Sequence, residues 1–241
     1  MLNRTLNQQI EYYRARASEY DQWFLRQGRY DRGEDHSQQW FQEVAVIQQA
    51  LAQFNPQGKV LEFASGTGWW TEQLVQYADR VTCVDSSPET ILLNQARIKA
   101  VADLENVRYI EANIFEWEPP QDEVHSWDVI FFSFWLSHVP PELFESFWAL
   151  VKRYLKPGGR VFFIDSLYNG DATAKDQFIR AQQDTMMTRK LNDGREFEIV
   201  KVFYVPERLT QALEGWGWDA TVDQTESFFL YGSGKMDESG V

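Results

Sequence analysis

Glu62, Gly66, Gly68 and Asp85 are the residues whose types and spacing first suggest chemistry. They open in VLEFASGTGWW, where an acid sits on a short apolar run and two glycines follow in a tight turn. Glycine is needed where a backbone must approach a ligand with no Cβ in the way. Asp85 closes the next apolar run, RVTCVD, twenty-three positions after Glu62. A carboxylate there can accept hydrogen bonds from both hydroxyls of a ribose. A dinucleotide fingerprint starting at Gly66 would place its third glycine on Thr71, with two tryptophans intervening. A pyrophosphate also wants free N–H groups at a helix start, whereas Glu62 sets a negative charge beside the loop. A phosphate-free nucleoside with a positive amine suits the site better, and S-adenosylmethionine fits that description.

The elements that must position these residues begin after Gly58. KVLEFA (59–64), RVTCVD (80–85), VRYIEA (107–112), WDVIFFSF (127–134) and RVFFIDS (160–166) read as strands alternating with helices. One helix is expected after Gly68, and another starts at Ser86-Ser87-Pro88-Glu89, with a capping serine, an early proline and an acid near the dipole's positive end. Pro140-Pro141-Glu142 opens a third, with Leu143, Phe147, Leu150, Val151 and Tyr154 as its buried stripe; Lys152, Arg153 and Lys156 fall in its last turn before Pro157-Gly158-Gly159. Upstream, Leu6, Ile10, Tyr13, Ala17, Tyr20 and Phe24 predict one amphipathic helix, RQGRYDRGEDHSQQ a loop, and Trp40, Val44, Ile47 and Leu51 a second helix. Beyond Ser166 a polar, partly helical stretch interrupts the alternation, and REFEIVKVFY is strand-like. PERLTQALEGWGW predicts a last helix, and WDATVD with ESFFLYGSG an antiparallel pair. Such alternation argues for a doubly wound α/β sheet with right-handed crossovers, whose ligands bind at the carboxyl ends of the strands near the topological switch point.

On these motifs the sequence resembles the class I S-adenosylmethionine-dependent methyltransferases, in particular the branch that alkylates small molecules. The family's acid followed by G-x-G-x-G reads here Glu62-Phe63-Ala64-Ser65-Gly66-Thr67-Gly68, with alanine at the first glycine. VTCVDSS, EANIFEW, WDVIFFSFWLSHVP and LKPGGRVFFIDS continue the match, which spans roughly residues 58–166. The resemblance implies a seven-stranded, mostly parallel, Rossmann-like methyltransferase fold in a single domain. Residues 1–57 would form an N-terminal helical lid, 58–166 the cofactor-binding core, 167–204 a cap inserted after strand five, and 205–241 the closing helix and strand pair. The implied cofactor contacts are Glu62, Ala64, Gly66, Thr67, Gly68 and Trp69 around the loop, Asp85 on the ribose, and Ser86 beside the adenine. Asn113 stands where the family usually has an aspartate facing the adenine amino group, followed by Ile114; Ser133 and Phe134 end the fourth strand. An amide still accepts a hydrogen bond, so this change removes a charge only.

His138, just past the fourth strand, is placed to face the methyl group, and an imidazole is a natural base for a phenol, carboxylic acid or amine. It has equal standing as a residue that packs the Pro140 helix. The N-terminal helix is expected to close over the cofactor, with Tyr12 and Tyr20 on the cofactor side and Tyr13 toward substrate; the competing reading is plain docking of its apolar stripe. Arg14 and Arg16 read as solvated charges, with neutralisation of the methionine carboxylate as the alternative. Trp135 is the best candidate for a pocket wall among aromatics that are otherwise core, Trp69 and Trp70 included. Met186 and Met187 belong to a substrate cap or a helix interface. His36 and His125 lie in polar stretches and read as solvated, and no spacing resembles a metal site.

Composition bounds the function. The 241 residues carry 23 Lys+Arg against 36 Asp+Glu, a net charge of −13 that disfavours nucleic acid and anionic membranes. Nucleic-acid amino methylation also uses an N/D-P-P-Y/F motif, and the corresponding place reads SFWL. Cys83 is the only cysteine, so no intrachain disulfide forms. No apolar run is long enough to span a bilayer, and the polar N-terminus resembles neither signal nor transit peptide. The expectation is a cytoplasmic enzyme that transfers a methyl group to an oxygen or nitrogen of a small organic molecule, with homodimerisation left open. The competing readings are a protein or nucleic-acid methyltransferase, a non-catalytic nucleoside-binding module, and a nicotinamide-dependent oxidoreductase.

Overall fold

The computed structural model describes residues 2–236. Five parallel strands, β1 (Lys59–Phe63), β2 (Arg80–Asp85), β3 (Val107–Glu111), β4 (Trp127–Ser133) and β5 (Leu155–Ser166), join an antiparallel pair, β8 (Trp218–Gln224) and β9 (Phe229–Met236). The seven-stranded order is β3-β2-β1-β4-β5-β9-β8, with β9 antiparallel to both β5 and β8. The order reverses between β1 and β4, which therefore form the switch point.

Alternation along each strand feeds two cores. Leu61, Phe63, Ile130, Phe132 and Phe163 face helices α6 (Phe144–Tyr154) and α7 (Pro206–Gly215), burying Phe147, Trp148, Leu209 and Leu213. Val60, Phe131, Phe162 and Ile164 face the other way, onto α3 (Glu34–Phe54), through Trp40, Val44, Ile47 and Leu51. The register places Phe131 beside Phe162 and Phe132 beside Phe163, stacked with centroids 6.1 and 5.6 Å apart. Much of the aromatic content is thus core packing.

Several elements differ from the sequence pattern. The N-terminal segment is two helices, α1 (Leu2–Arg16) and α2 (Tyr20–Phe24), separated by a 3-10 turn at Ala17–Glu19. α3 starts at Glu34, inside the expected loop, because the Asp31 side chain accepts from the Gly33 N–H and Glu34 and Asp35 complement the helix dipole. The helix after Gly68, α4 (Thr71–Leu74), is a single turn, and α5 (Pro88–Lys99) follows β2 as expected. α6 is preceded by a 3-10 turn at Pro141–Leu143 and ends at Tyr154, so Lys156 falls in β5. The segment after β5 is not helical beyond one 3-10 turn at Gly170–Ala172; it forms a separate hairpin, β6 (Met186–Lys190) with β7 (Glu196–Val200). Asp193-Gly194 makes that turn, with Gly194 at φ +91°. Tyr12 of α1 packs against Phe197 of the hairpin, so N-terminal helix and hairpin meet above the sheet.

Candidate active site

Two cavities meet over the carboxyl ends of β1 and β4. The first, of about 710 Å³, is walled by the glycine loop, the end of β2, the turn after β3 and the α1 stripe Leu6, Gln9, Ile10 and Tyr13. Of the residues expected at the site, Tyr13, Tyr20, Ala64, Gly66, Asp85, Ser86, Asn113, Ile114, Ser133, Phe134, Trp135 and His138 line it. The second, of about 590 Å³, lies beneath the β6–β7 hairpin and shares Tyr13, Tyr20, Phe134 and His138 with the first.

Ala64 and Phe134, the residues directly after β1 and β4, hold left-handed backbones at φ 50° and 52°. An L-residue there costs roughly 1–2 kcal/mol. The Ala64 N–H donates to the Val84 carbonyl at 2.8 Å, and that of Phe134 to the Ile164 carbonyl at 2.7 Å. These bonds are the last rungs of the two ladders, and the left-handed residues then turn the chain out of the sheet on either side of the crevice. Ala64 therefore accepts strain that a glycine would avoid. Gly66, at φ +54°, faces open space: a Cβ there would find nothing nearer than the Ala64 oxygen at 3.9 Å.

Asp85 organises the loop. Its Oδ2 accepts the Gly66 N–H at 2.8 Å and its Oδ1 the Ser87 N–H at 2.9 Å. Burial raises its pKa, and those N–H donors offset part of the shift. Asn113 Oδ1 accepts the Phe115 N–H at 3.2 Å and keeps its second lone pair.

The remaining expected contacts lie elsewhere. Glu62 is buried below the loop, where its Oε2 accepts from the Thr71 hydroxyl at 2.6 Å and the Cys83 thiol at 3.4 Å. Desolvation pushes its pKa up to about 8. Gly68 serves packing, since a Cβ would meet Asn94 at 2.7 Å. Thr67 and Trp69 stand on the far side of the loop and donate to Asp21 at 2.6 and 3.1 Å. Arg97 pairs with the same carboxylate at 2.6 Å and lies over the Trp69 ring. Tyr12 lines the second cavity only. Arg14 pairs on the surface with Glu111 and Glu89, whereas Arg16, expected to be solvated, is buried against the Tyr12 and Tyr20 rings. His36 is not solvated either: both its ring nitrogens are buried without partners, and it packs on Phe228. Met187 is buried in β6.

His138 is 5% exposed and its surroundings fix its tautomer. Nδ1 lies 2.6 Å from the Val200 carbonyl, which can only accept, so Nδ1 carries the proton. Nε2 then accepts from the Tyr13 hydroxyl at 2.7 Å. Burial, then the Lys201 charge, holds the His138 pKa well below the ordinary imidazole value, with smaller contributions from Arg189 and Arg16. The ring is neutral, and Tyr13 is the group it presents at the junction of the cavities.

A methyltransferase-domain family model matches residues 60–159. The solved complex of DhpI with SAM and HEP is 37% identical, with 96% of this chain and 97% of that chain aligned at a TM-score of 0.75. The chain belongs to the class I S-adenosylmethionine-dependent methyltransferases. A DhpI–SAH complex is 36% identical over 97% of this methyltransferase and 98% of that chain, also at 0.75. The 1,6-didemethyltoxoflavin N1-methyltransferase of Burkholderia thailandensis shares the fold at 20% identity, TM-score 0.54, covering 82% of this chain and 81% of that one. No curated protein matches the chain. The cofactor is S-adenosylmethionine, and the seven-stranded sheet is the Rossmann-like fold of the family. The first cavity fits that cofactor: Gly66 leaves a cradle that a Cβ would fill, and Asp85 offers acceptor positions to hydroxyl donors.

Sequence reasoning missed Asp21, Gln9, Arg189 and Lys201. Gln9 donates to the His138 carbonyl at 3.1 Å and accepts the Val200 N–H at 3.2 Å, tying α1 to both β7 and the His138 turn. Its place one residue before Ile10 in the helical stripe was the one available signal.

Proposed function

We propose that this methyltransferase acts on an oxygen or nitrogen of a small organic acceptor held in the cavity beneath the β6–β7 hairpin. The observation that carries the reading is the sharing of Tyr13, Tyr20, Phe134 and His138 by two cavities, one fitted to the cofactor and the other of a size to admit a small molecule. When bound, S-adenosylmethionine supplies an electrophilic methyl group on its sulfonium, so the chain's own work is positioning and protection. Asp85 and the Gly66 backbone hold the nucleoside, Ser86, Asn113 and Ile114 bound the adenine, and Trp135 and Phe115 wall the same cavity. Tyr20 and Phe134 fix the aperture, and helix α1 excludes water from above.

His138 acts on the acceptor through Tyr13. The phenol oxygen can accept a hydrogen bond from the acceptor while donating its own proton to Nε2, so the pair aligns the acceptor and can pass on a proton that the acceptor carries. The DhpI complex with SAM and HEP supports a small-molecule acceptor. Incubation with isotope-labelled S-adenosylmethionine and a metabolite extract, followed by mass spectrometry, tests the reading. A labelled product below about 1 kDa is expected; label appearing only in protein or nucleic acid would overturn it.

A further inference from the structure

The cavity beneath the β6–β7 hairpin is cationic, in a protein of net charge −13. Arg16, Arg189 and Lys201 line it, and no carboxylate does. Lys201 is compensated: it donates to the Ser137 hydroxyl at 2.7 Å and pairs with the buried Asp165 at 3.3 Å. Arg16 and Arg189 have no carboxylate within 4.0 Å among the described residues. Arg189 donates to the Thr173 hydroxyl at 2.7 Å, and Arg16, only 9% exposed, meets two aromatic faces and, among the described residues, no hydrogen-bond acceptor. An uncompensated guanidinium is expensive to bury, and two facing one cavity repel each other. A fold tolerates that where a ligand supplies the counter-charge. The guanidinium fork also matches an oxyanion's paired oxygens, and the phenols of Tyr12 and Tyr30 line the same space.

We propose that Arg16 and Arg189 form an oxyanion site, and that the methyl acceptor is a small oxyacid whose anionic group binds there. This rests on the reading of that cavity as the acceptor site. Lys201 is the weaker third member because Asp165 already holds it. The same placement adds to burial in keeping His138 neutral: cations that attract the acceptor's anion disfavour a further positive charge on the ring. An acceptor arriving as an anion also needs less help from a base.

The test is calorimetry on the full chain saturated with S-adenosylhomocysteine. Inorganic phosphate and acetate are titrated separately, with choline as the cationic control. Saturable 1:1 binding of at least one anion, weakened by added sodium sulfate and absent for choline, is expected. A tighter phosphate arm points to a tetrahedral multiply charged group and a tighter acetate arm to a carboxylate. Arg189→Gln should weaken anion binding at least about tenfold, with Arg189→Lys falling between it and the wild type, because the lysine keeps the charge but loses the paired donors of the fork. S-adenosylhomocysteine affinity should not change in either variant, since Arg189 lies outside the cofactor cavity. Binding of choline with no binding of either anion, or anion binding indifferent to Arg189→Gln, overturns the proposal. Failure of wild-type protein to bind S-adenosylhomocysteine would instead strike at the cofactor reading.

Discussion

Asp85→Asn separates a carboxylate that holds the ribose from one that merely shapes the loop. Two backbone N–H groups occupy one acceptor position on each carboxylate oxygen, from Gly66 at 2.8 Å and Ser87 at 2.9 Å. The Thr90 hydroxyl, 3.3 Å from Oδ1, has a shorter bond at 2.9 Å to the Ser87 carbonyl and does not consume the remaining capacity. A carboxylate has about four acceptor positions, so capacity remains beside these donors for ribose hydroxyls. Asparagine keeps the shape but turns one oxygen into a donor. One ribose bond is lost, the other loses its charge assistance, and a backbone N–H faces an NH2. At about 1.5–3 kcal/mol for a bond to a charged group and less for a neutral one, the expected loss is roughly 2–4 kcal/mol. That corresponds to a 30- to 700-fold rise in Kd, within about a factor of three. Calorimetry with S-adenosylhomocysteine reads it, with circular-dichroism melting as the folding control. A second arm compares adenosine with 2′-deoxyadenosine, which the wild type should distinguish by a wider margin than Asp85→Asn does. A folded variant with wild-type affinity, or one that still prefers the ribonucleoside by the wild-type margin, would refute the assignment.

Gly66→Val should abolish cofactor binding, by calorimetry, while the protein stays folded, because the added carbons enter the cavity rather than the core; normal binding would mean that the loop does not approach the ligand. Glu62 is carried with a pKa of about 8 against 4.5 for an ordinary glutamate, so the folded state binds its proton more tightly than the unfolded state. Its contribution to stability is therefore full below pH 4.5 and lost as pH rises to about 8; Glu62→Gln should flatten the denaturation midpoint across that window, and an unaltered pH profile would contradict the burial argument. Tyr13→Phe and His138→Ala should each lower the single-turnover rate about 10²-fold, with the double variant no worse than the slower single, because the two act as one unit. The wild-type rate should hold flat down to well below pH 6.5 and then fall as His138 protonates and releases Tyr13; additive losses in the double variant would separate the pair.

What the sequence revealed and what it hid divide along a physical line. Strands buried on both faces read directly, because apolar runs such as WDVIFF and RVFFID admit few other conformations. The glycine loop and Asp85 were legible because a nucleoside constrains both residue type and spacing. Trp69 and Thr67 were misplaced because adjacent loop residues face opposite sides, and sequence proximity to Gly66 does not say which side holds the ligand. Of the β6–β7 hairpin, β7 was legible in REFEIVKVFY, whereas β6 was obscured by its short, polar run MMTRK. The Asp193-Gly194 pair marked the turn between them. Arg16 and Arg189, 173 positions apart, cannot be read as a cluster from spacing, since only the docking of α1 on the hairpin brings them to one cavity.

That docking couples the two cavities. Helices α1 and α2 supply Tyr13 and Tyr20 to both cavities, so neither is complete without the N-terminal segment. The segment is fastened at two ends. Asp21 gathers Thr67, Trp69 and Arg97 around the back of the glycine loop, and Gln9 bridges the His138 carbonyl and the Val200 N–H. The first tie is made to the loop beside the first cavity, and the second to the strand that borders the second. A ligand in the first cavity that rigidifies the loop therefore also lowers the cost of ordering the segment, and part of that cost is then already met when the second ligand binds. Linkage makes the effect mutual: cofactor and acceptor should each tighten the other's binding, and by the same factor.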